Sequence, residues 1–104
     1  MAGITKTQRN YLRKLANPLK ATVLLGKQGL TPEVLTKVER ELDAHELIKV
    51  RLLDYKDQKV ALAEQIVTGT SAALVGIIGN VITLYRPPSD PTRSQIVLPG
   101  MVEG

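Results

Sequence analysis

Gly26-Lys27-Gln28-Gly29 is the stretch whose residue types and spacing best fit a defined chemistry. The apolar run Ala21-Thr22-Val23-Leu24-Leu25 precedes it and Thr31-Pro32-Glu33 follows. The pattern predicts a strand, a short loop and the first turn of a helix. Such a loop leaves backbone N–H groups unpaired at the positive end of a helix dipole. Glycine at both ends admits close approach by another backbone and conformations closed to other residues. Lys27 adds a full positive charge at the tip, and Gln28 adds a hydrogen-bonding amide. Together these features suit the grip of a phosphodiester.

Two glycines three apart are a weak signal alone, since Gly76-Ile77-Ile78-Gly79 repeats the spacing. There the intervening residues are apolar and lie in a strand pattern, which predicts packing and a hairpin. The first copy differs in its surroundings. Six basic residues (Lys6, Arg9, Arg13, Lys14, Lys20, Lys27) fall within the first 32 positions, where there is no acid. The other 72 positions carry eight basic and ten acidic side chains, and the whole chain has a net charge of +4. That segregation fits a positive face with an anionic partner; a solvated basic helix fits it equally. The KH module uses the same loop logic, two glycines flanking two residues that clamp an RNA backbone.

The elements that must position this loop follow from periodicity. Thr5 to Gln8 reads as a capping box opening a helix that ends at Ala16, before Asn17-Pro18. Its apolar side is Tyr11, Leu12 and Leu15; Lys6, Arg9 and Arg13 form the opposite stripe, flanked by Lys14. The run 21–25, apolar on both sides, predicts a covered and central strand. Thr31 caps a second helix with Pro32 in its first turn, a buried stripe of Val34, Leu35, Val38 and Leu42, and an end near Asp43 or Ala44. Leu47 to Leu53 alternates as a strand, with Ile48, Val50 and Leu52 inward and Lys49 and Arg51 outward. Asp54 or Asp57 is expected to cap a third helix burying Val60, Ala63, Ile66 and Val67, with Gly69 as its left-handed terminator. Residues 73–78 and 81–86 read as strands joined by a Gly79-Asn80 turn. The chain then enters a proline-rich linker, beyond which Ile96 to Leu98 adds a short edge strand or an anchored tail; Gly104 is expected to fray. The order α-β-α-β-α-β-β predicts a single α/β domain over residues 1–88, with 89–104 as a tail. Right-handed crossovers make the first three strands of a four-stranded mixed sheet parallel and the last antiparallel.

Composition closes off other functions. With no cysteine there are no disulfides and no thiolate metal sites, and no metal or other cofactor is expected. The lone histidine, His45, at the end of the second helix, is best explained by the helix dipole or a hydrogen bond rather than by catalysis. Glu39, Glu41, Asp43 and Glu46 fit a solvated helix face, so no enzyme is expected. No run is long enough to span a bilayer and no signal peptide is evident, so a cytoplasmic monomer is expected. With three tyrosines and no Trp or Phe, stacking platforms like those of the RRM are not expected.

Several blocks in order carry a resemblance. They are Leu12-Arg13-Lys14-Leu15-Ala16, Pro18-Leu19-Lys20, Gly26-Lys27-Gln28-Gly29-Leu30-Thr31 and His45-Glu46-Leu47-Ile48-Lys49-Val50, then Gly69, Ile78-Gly79, Leu84-Tyr85-Arg86-Pro87 and Leu98-Pro99. Along nearly its whole length the chain resembles the bacterial stand-alone CRM-domain (YhbY-like) proteins. Asn17 stands where a histidine is usual and Ala21 where a proline is usual. The resemblance implies a fold similar to the C-terminal domain of translation initiation factor three. It also implies RNA binding through the glycine loop and the basic surface beside it, in assembly of the large ribosomal subunit, with precursor rRNA and ribosomal proteins as partners. On this reading Gly26, Lys27, Gln28 and Gly29 hold phosphate, and Arg9, Arg13, Lys14 and Lys20 extend the track. Lys49 and Arg51 join it if their strand face is open; an ordinary solvated face fits them as well. The alternative is a protein-interaction module docking through the 96–98 tail, the second helix or a strand edge.

Overall fold

The computed structural model describes residues 4–98. Helix α1 (Lys6–Ala16) is followed by β1 (Val23–Leu25), α2 (Pro32–His45), β2 (Leu47–Leu52), α3 (Lys59–Thr70), β3 (Ala73–Ile78) and β4 (Val81–Tyr85). Single 3₁₀ turns lie at Lys56–Gln58 and Pro91–Arg93. Local chemistry sets the helix starts. Thr5 and Gln8 exchange reciprocal cap bonds of 3.0 and 3.1 Å, and the Thr31 hydroxyl accepts from the Val34 amide at 3.2 Å. Among the described residues no helix is long and apolar enough to cross a membrane.

One four-stranded mixed sheet runs β1-β2-β4-β3, with β1 parallel to β2 and β4 antiparallel to both of its neighbours. The predicted strand directions therefore hold, but β1 is an edge strand and not a central one. A three-residue apolar strand cannot report whether both its faces are covered. Here Val23 and Leu25 face the core while Leu24 is 55% exposed.

The sheet has two unequal cores. On one face α2 and α3 cover the sheet, and Val23, Leu25, Val38, Leu42, Val50 and Ile82 are among the side chains fully excluded from water. On the other, α1 and the tail bury a smaller cluster of Leu12, Ala16, Leu47, Val75, Tyr85 and Leu98. The buried line of α1 is thus Leu12 and Ala16; Tyr11 and Leu15, predicted as core, are partly exposed. A β-bulge between Leu74 and Gly76 interrupts the pairing of β3 with β4.

Helix α3 departs from expectation at both ends. Neither Asp54 nor Asp57 caps it: Gln58 occupies that position without a side-chain bond, and the helix passes Gly69 to end at Thr70, with Ser71 left-handed at φ 60°. Gly69 serves packing instead, since a Cβ there would stand 3.3 Å from a Leu35 methyl. Leu62 is buried where Val60 was expected, because the α3 stripe runs Leu62, Ala63, Ile66 and Thr70.

Residues 94–98 form no strand and are tied down as a tail. Glu46, only 3% exposed, accepts hydrogen bonds from the Ser94 hydroxyl (3.1 Å) and from the amides of Gln95 and Ile96 (3.2 Å for the latter). Beside it, burial pushes the Tyr85 phenol above its usual range, and the Glu46 carboxylate adds to that effect. Arg86 bonds to Glu39, to the Thr70 carbonyl at 2.6 Å and to Asp43 at 3.2 Å. The carboxylates expected on a solvated face are therefore largely structural, because the chain after β4 folds back onto the end of α2. His45 stays exposed, 3.8 Å from Glu41. The expected fraying of Gly104 lies outside the described residues, as does Pro99.

Two measurements probe this clasp. Glu46→Ala leaves three donors without their acceptor, and urea unfolding should show a loss of about 2–4 kcal/mol. Asp43 titrates below its usual range because the Ser89 hydroxyl and amide bond to it, with Arg86 adding to the effect. A carboxylate with a depressed folded-state pKa contributes stability above its unfolded pKa and loses it as pH falls through the folded one. Asp43→Asn should therefore flatten the acid limb of stability against pH below the ordinary carboxylate range.

Candidate nucleic-acid interface

Strand β1 ends at Leu25, and the chain turns at once into Gly26-Lys27-Gln28-Gly29. The Gly29 amide donates to the Gly26 carbonyl at 3.0 Å, closing a tight turn. That bond uses one of the loop donors. The Lys27 and Gln28 amides make no hydrogen bond among the described residues, and both side chains are exposed. Thr31 then starts α2, so these free donors stand beside the positive end of its dipole.

The two glycines do different things. Gly29 has φ +72°, a conformation that costs a residue with Cβ about 1–2 kcal/mol. Gly26 has an ordinary conformation, and a Cβ there would meet nothing of this chain within 4 Å. It leaves open space at the turn.

Tyr55 buttresses the loop, a role absent from the sequence reading. Its hydroxyl donates to the Lys27 carbonyl at 2.5 Å, and its ring lies 3.6 Å from where a Gly29 Cβ would be. Tyr55 itself is left-handed at φ 57°, with Asp54 Oδ1 accepting from its amide at 2.9 Å. The partners are 28 positions apart, and the one signal in the sequence was an aromatic residue soon after β2.

The remaining candidates lie on the sheet face that α1 covers. In register, Leu47, Tyr85 and Ala73 mark the covered end; Arg51, Val81 and Ile78 mark the end near the loop. Helix α1 stops between them. The Lys49 ammonium donates to the carbonyls of Asn17 (3.4 Å) and Leu19 (3.0 Å), so it binds the outgoing end of α1 to the sheet. Beyond that point a groove of about 520 Å³ brings together Lys20, Lys49 and Arg51, with no acidic residue in its lining. Arg13 reaches over β3, where Gly76 makes room: a Cβ there would stand 3.3 Å from Arg13 Nε. The second glycine pair is thus structural, as its apolar setting implied. Arg9 is half-buried and Lys14 exposed on α1; neither lines the groove.

Substitution separates the glycines. Gly29→Ala should destabilise the domain by about 1–2 kcal/mol in urea unfolding. Gly26→Ala should stay within about 0.5 kcal/mol of wild type. Equal costs would show that the turn is not held in the left-handed form.

Comparison with known proteins shows the family. The family model of the CRS1 / YhbY (CRM) domain matches residues 4–86. A Haemophilus influenzae protein named "RNA-binding protein" is 38% identical over 91 residues, covering 86% of this chain and 92% of that one. The Bacillus subtilis "Probable RNA-binding protein YqeI" is 35% identical over 97 residues, covering 92% and 99%. The solution structure of Staphylococcus aureus SAV1595 superposes with a TM-score of 0.75 at 32% identity, over 90% of this chain and 99% of that one. With the family match spanning most of its length, the chain belongs to the CRS1 / YhbY (CRM) domain family.

Proposed function

We propose that this protein binds RNA and grips its backbone at the Gly26–Gly29 turn. The carrying observation is the pair of unpaired amides at Lys27 and Gln28, beside a capped helix start and next to the open space at Gly26. Lys27 supplies a point charge for the same phosphate. Arg9, Arg13, Lys14 and Lys20 extend the positive track along α1 and its outgoing turn, and Arg51 extends it across the sheet. Lys49 contributes its charge from a fixed position, since its donors already hold the end of α1. The names of the relatives support RNA as the ligand.

The RNA we assign is ribosomal, within a precursor of the large subunit. The resemblance to bacterial stand-alone CRM proteins supports this assignment. Crosslinking RNA to the protein in cells and sequencing it tests the point: reads concentrated in large-subunit rRNA precursors are expected, and reads spread over unrelated transcripts would overturn it. A protein partner is the competing reading, favoured by an apolar groove of about 440 Å³ between α1 and the tail, where Leu15, Leu19, Leu47 and Ile96 converge.

Backbone binding has a salt signature, because each neutralised phosphate releases counterions. Lys27→Ala should weaken binding by about threefold to tenfold across RNA sequences and reduce the log–log salt slope by about 1. A variant lacking Arg9 and Arg13 should reduce the slope further. Unchanged binding in both variants would sink the surface, and no RNA binding at low salt would favour the protein partner.

A further inference from the structure

The open half of the α1-side face has more than charge. Its groove is floored by aliphatic side chains: Leu24 is 55% exposed, Ile78 is 71% exposed, and Val81 lies in register beside Arg51. Scattered apolar residues on a surface are ordinary, but these converge on one concavity rimmed by Lys20 and Arg51. The volume falls within the roughly 300–1,000 Å³ of small-molecule sites.

Thr83 is the second observation. It lies on β4 opposite Lys49 and Gly76, lines the groove, and is only 6% exposed. Its hydroxyl makes no hydrogen bond among the described residues. A buried hydroxyl without a partner is costly and uncommon. Here the residue that carries it lines a recess that a ligand can enter.

The chemistry discriminates between forms of RNA. A duplex presents phosphates and 2′-hydroxyls outward and keeps its bases stacked, so it offers nothing to an aliphatic floor. An unstacked base offers an apolar face and an edge of donors and acceptors. We propose that this groove holds an unpaired base of single-stranded RNA. Leu24, Ile78 and Val81 lie against its face, the Thr83 hydroxyl bonds to its edge, and Lys20 and Arg51 take the flanking phosphates. The contact is apolar burial and not aromatic stacking, consistent with a chain that has no Trp or Phe. The proposal rests on the RNA reading above and adds to the backbone grip a place where base identity is felt.

The test uses three probes of equal phosphate number: a mixed-sequence single strand, a fully paired RNA duplex, and an abasic single strand. Each is titrated into the wild-type chain, Thr83→Val and Ile78→Thr at one salt concentration. Wild type is expected to bind the single strand about tenfold tighter than the abasic one. Both variants are expected to lose most of that margin while duplex and abasic binding stay unchanged. Thr83→Val keeps the side-chain shape and removes an unpaired hydroxyl, so its unfolding midpoint should match or exceed wild type, which separates lost contact from lost fold. Wild-type binding that is equal for the single and abasic strands overturns the groove and leaves the RNA reading standing. Wild-type protein that binds none of the probes overturns both.

Discussion

The contact between the Lys49 ammonium and the carbonyls of Asn17 and Leu19 fixes where α1 stops covering the sheet. A helix of 11 residues spans about 16 Å and cannot roof a four-stranded sheet from end to end. Holding its outgoing end at the middle of β2 commits Leu12 and Ala16 to one half of the face and leaves the other half open. The smaller core, the seat of the tail and the basic groove all follow from that placement.

The same division assigns work to the two faces. The face under α2 and α3 carries the larger core, against which Leu74 and Ile77 pack partly buried. The face under α1 holds fewer apolar groups and is closed at one end by a tail that Glu46 fastens through its own amides and a serine hydroxyl. A buried carboxylate satisfied by such donors needs no counter-ion beside it. At the other end the loop, the Tyr55 buttress and the hairpin gather beside the open face, so the features with free polar groups sit together, away from the clasp.

Charge follows this geometry. The sequence segregates its early basic residues from its acids, and the fold gives several of those acids partners of their own. Glu39 and Asp43 bind Arg86, and Glu46 binds the tail. Three carboxylates on or just after α2 are thereby committed to internal contacts. The positive charge of α1 and the groove then stands largely unopposed, which is the condition for attracting a polyanion. A chain with the same composition but no clasp would present these acids to solvent at the end of α2.

The sequence by itself determined the element order, the caps of α1 and α2 and the loop with its glycine pair, because these depend on neighbours a few positions apart, and the strand directions, because the hand of the crossovers fixes them. Thr5 with Gln8, Thr31 with Val34, and the Gly79-Asn80 turn are all decided locally. It placed β1 wrongly inside the sheet, because an apolar run says nothing about strand order. It expected a solvated face at Glu46 and a terminator at Gly69, because their partners, Gln95 and Leu35, lie far away along the chain. Tyr55 under the turn, Gly76 under Arg13 and the unpaired Thr83 hydroxyl were equally invisible for that reason. The motif was written in adjacent residues, whereas the surface around it existed only once the strands had paired and α1 had been pinned halfway across them.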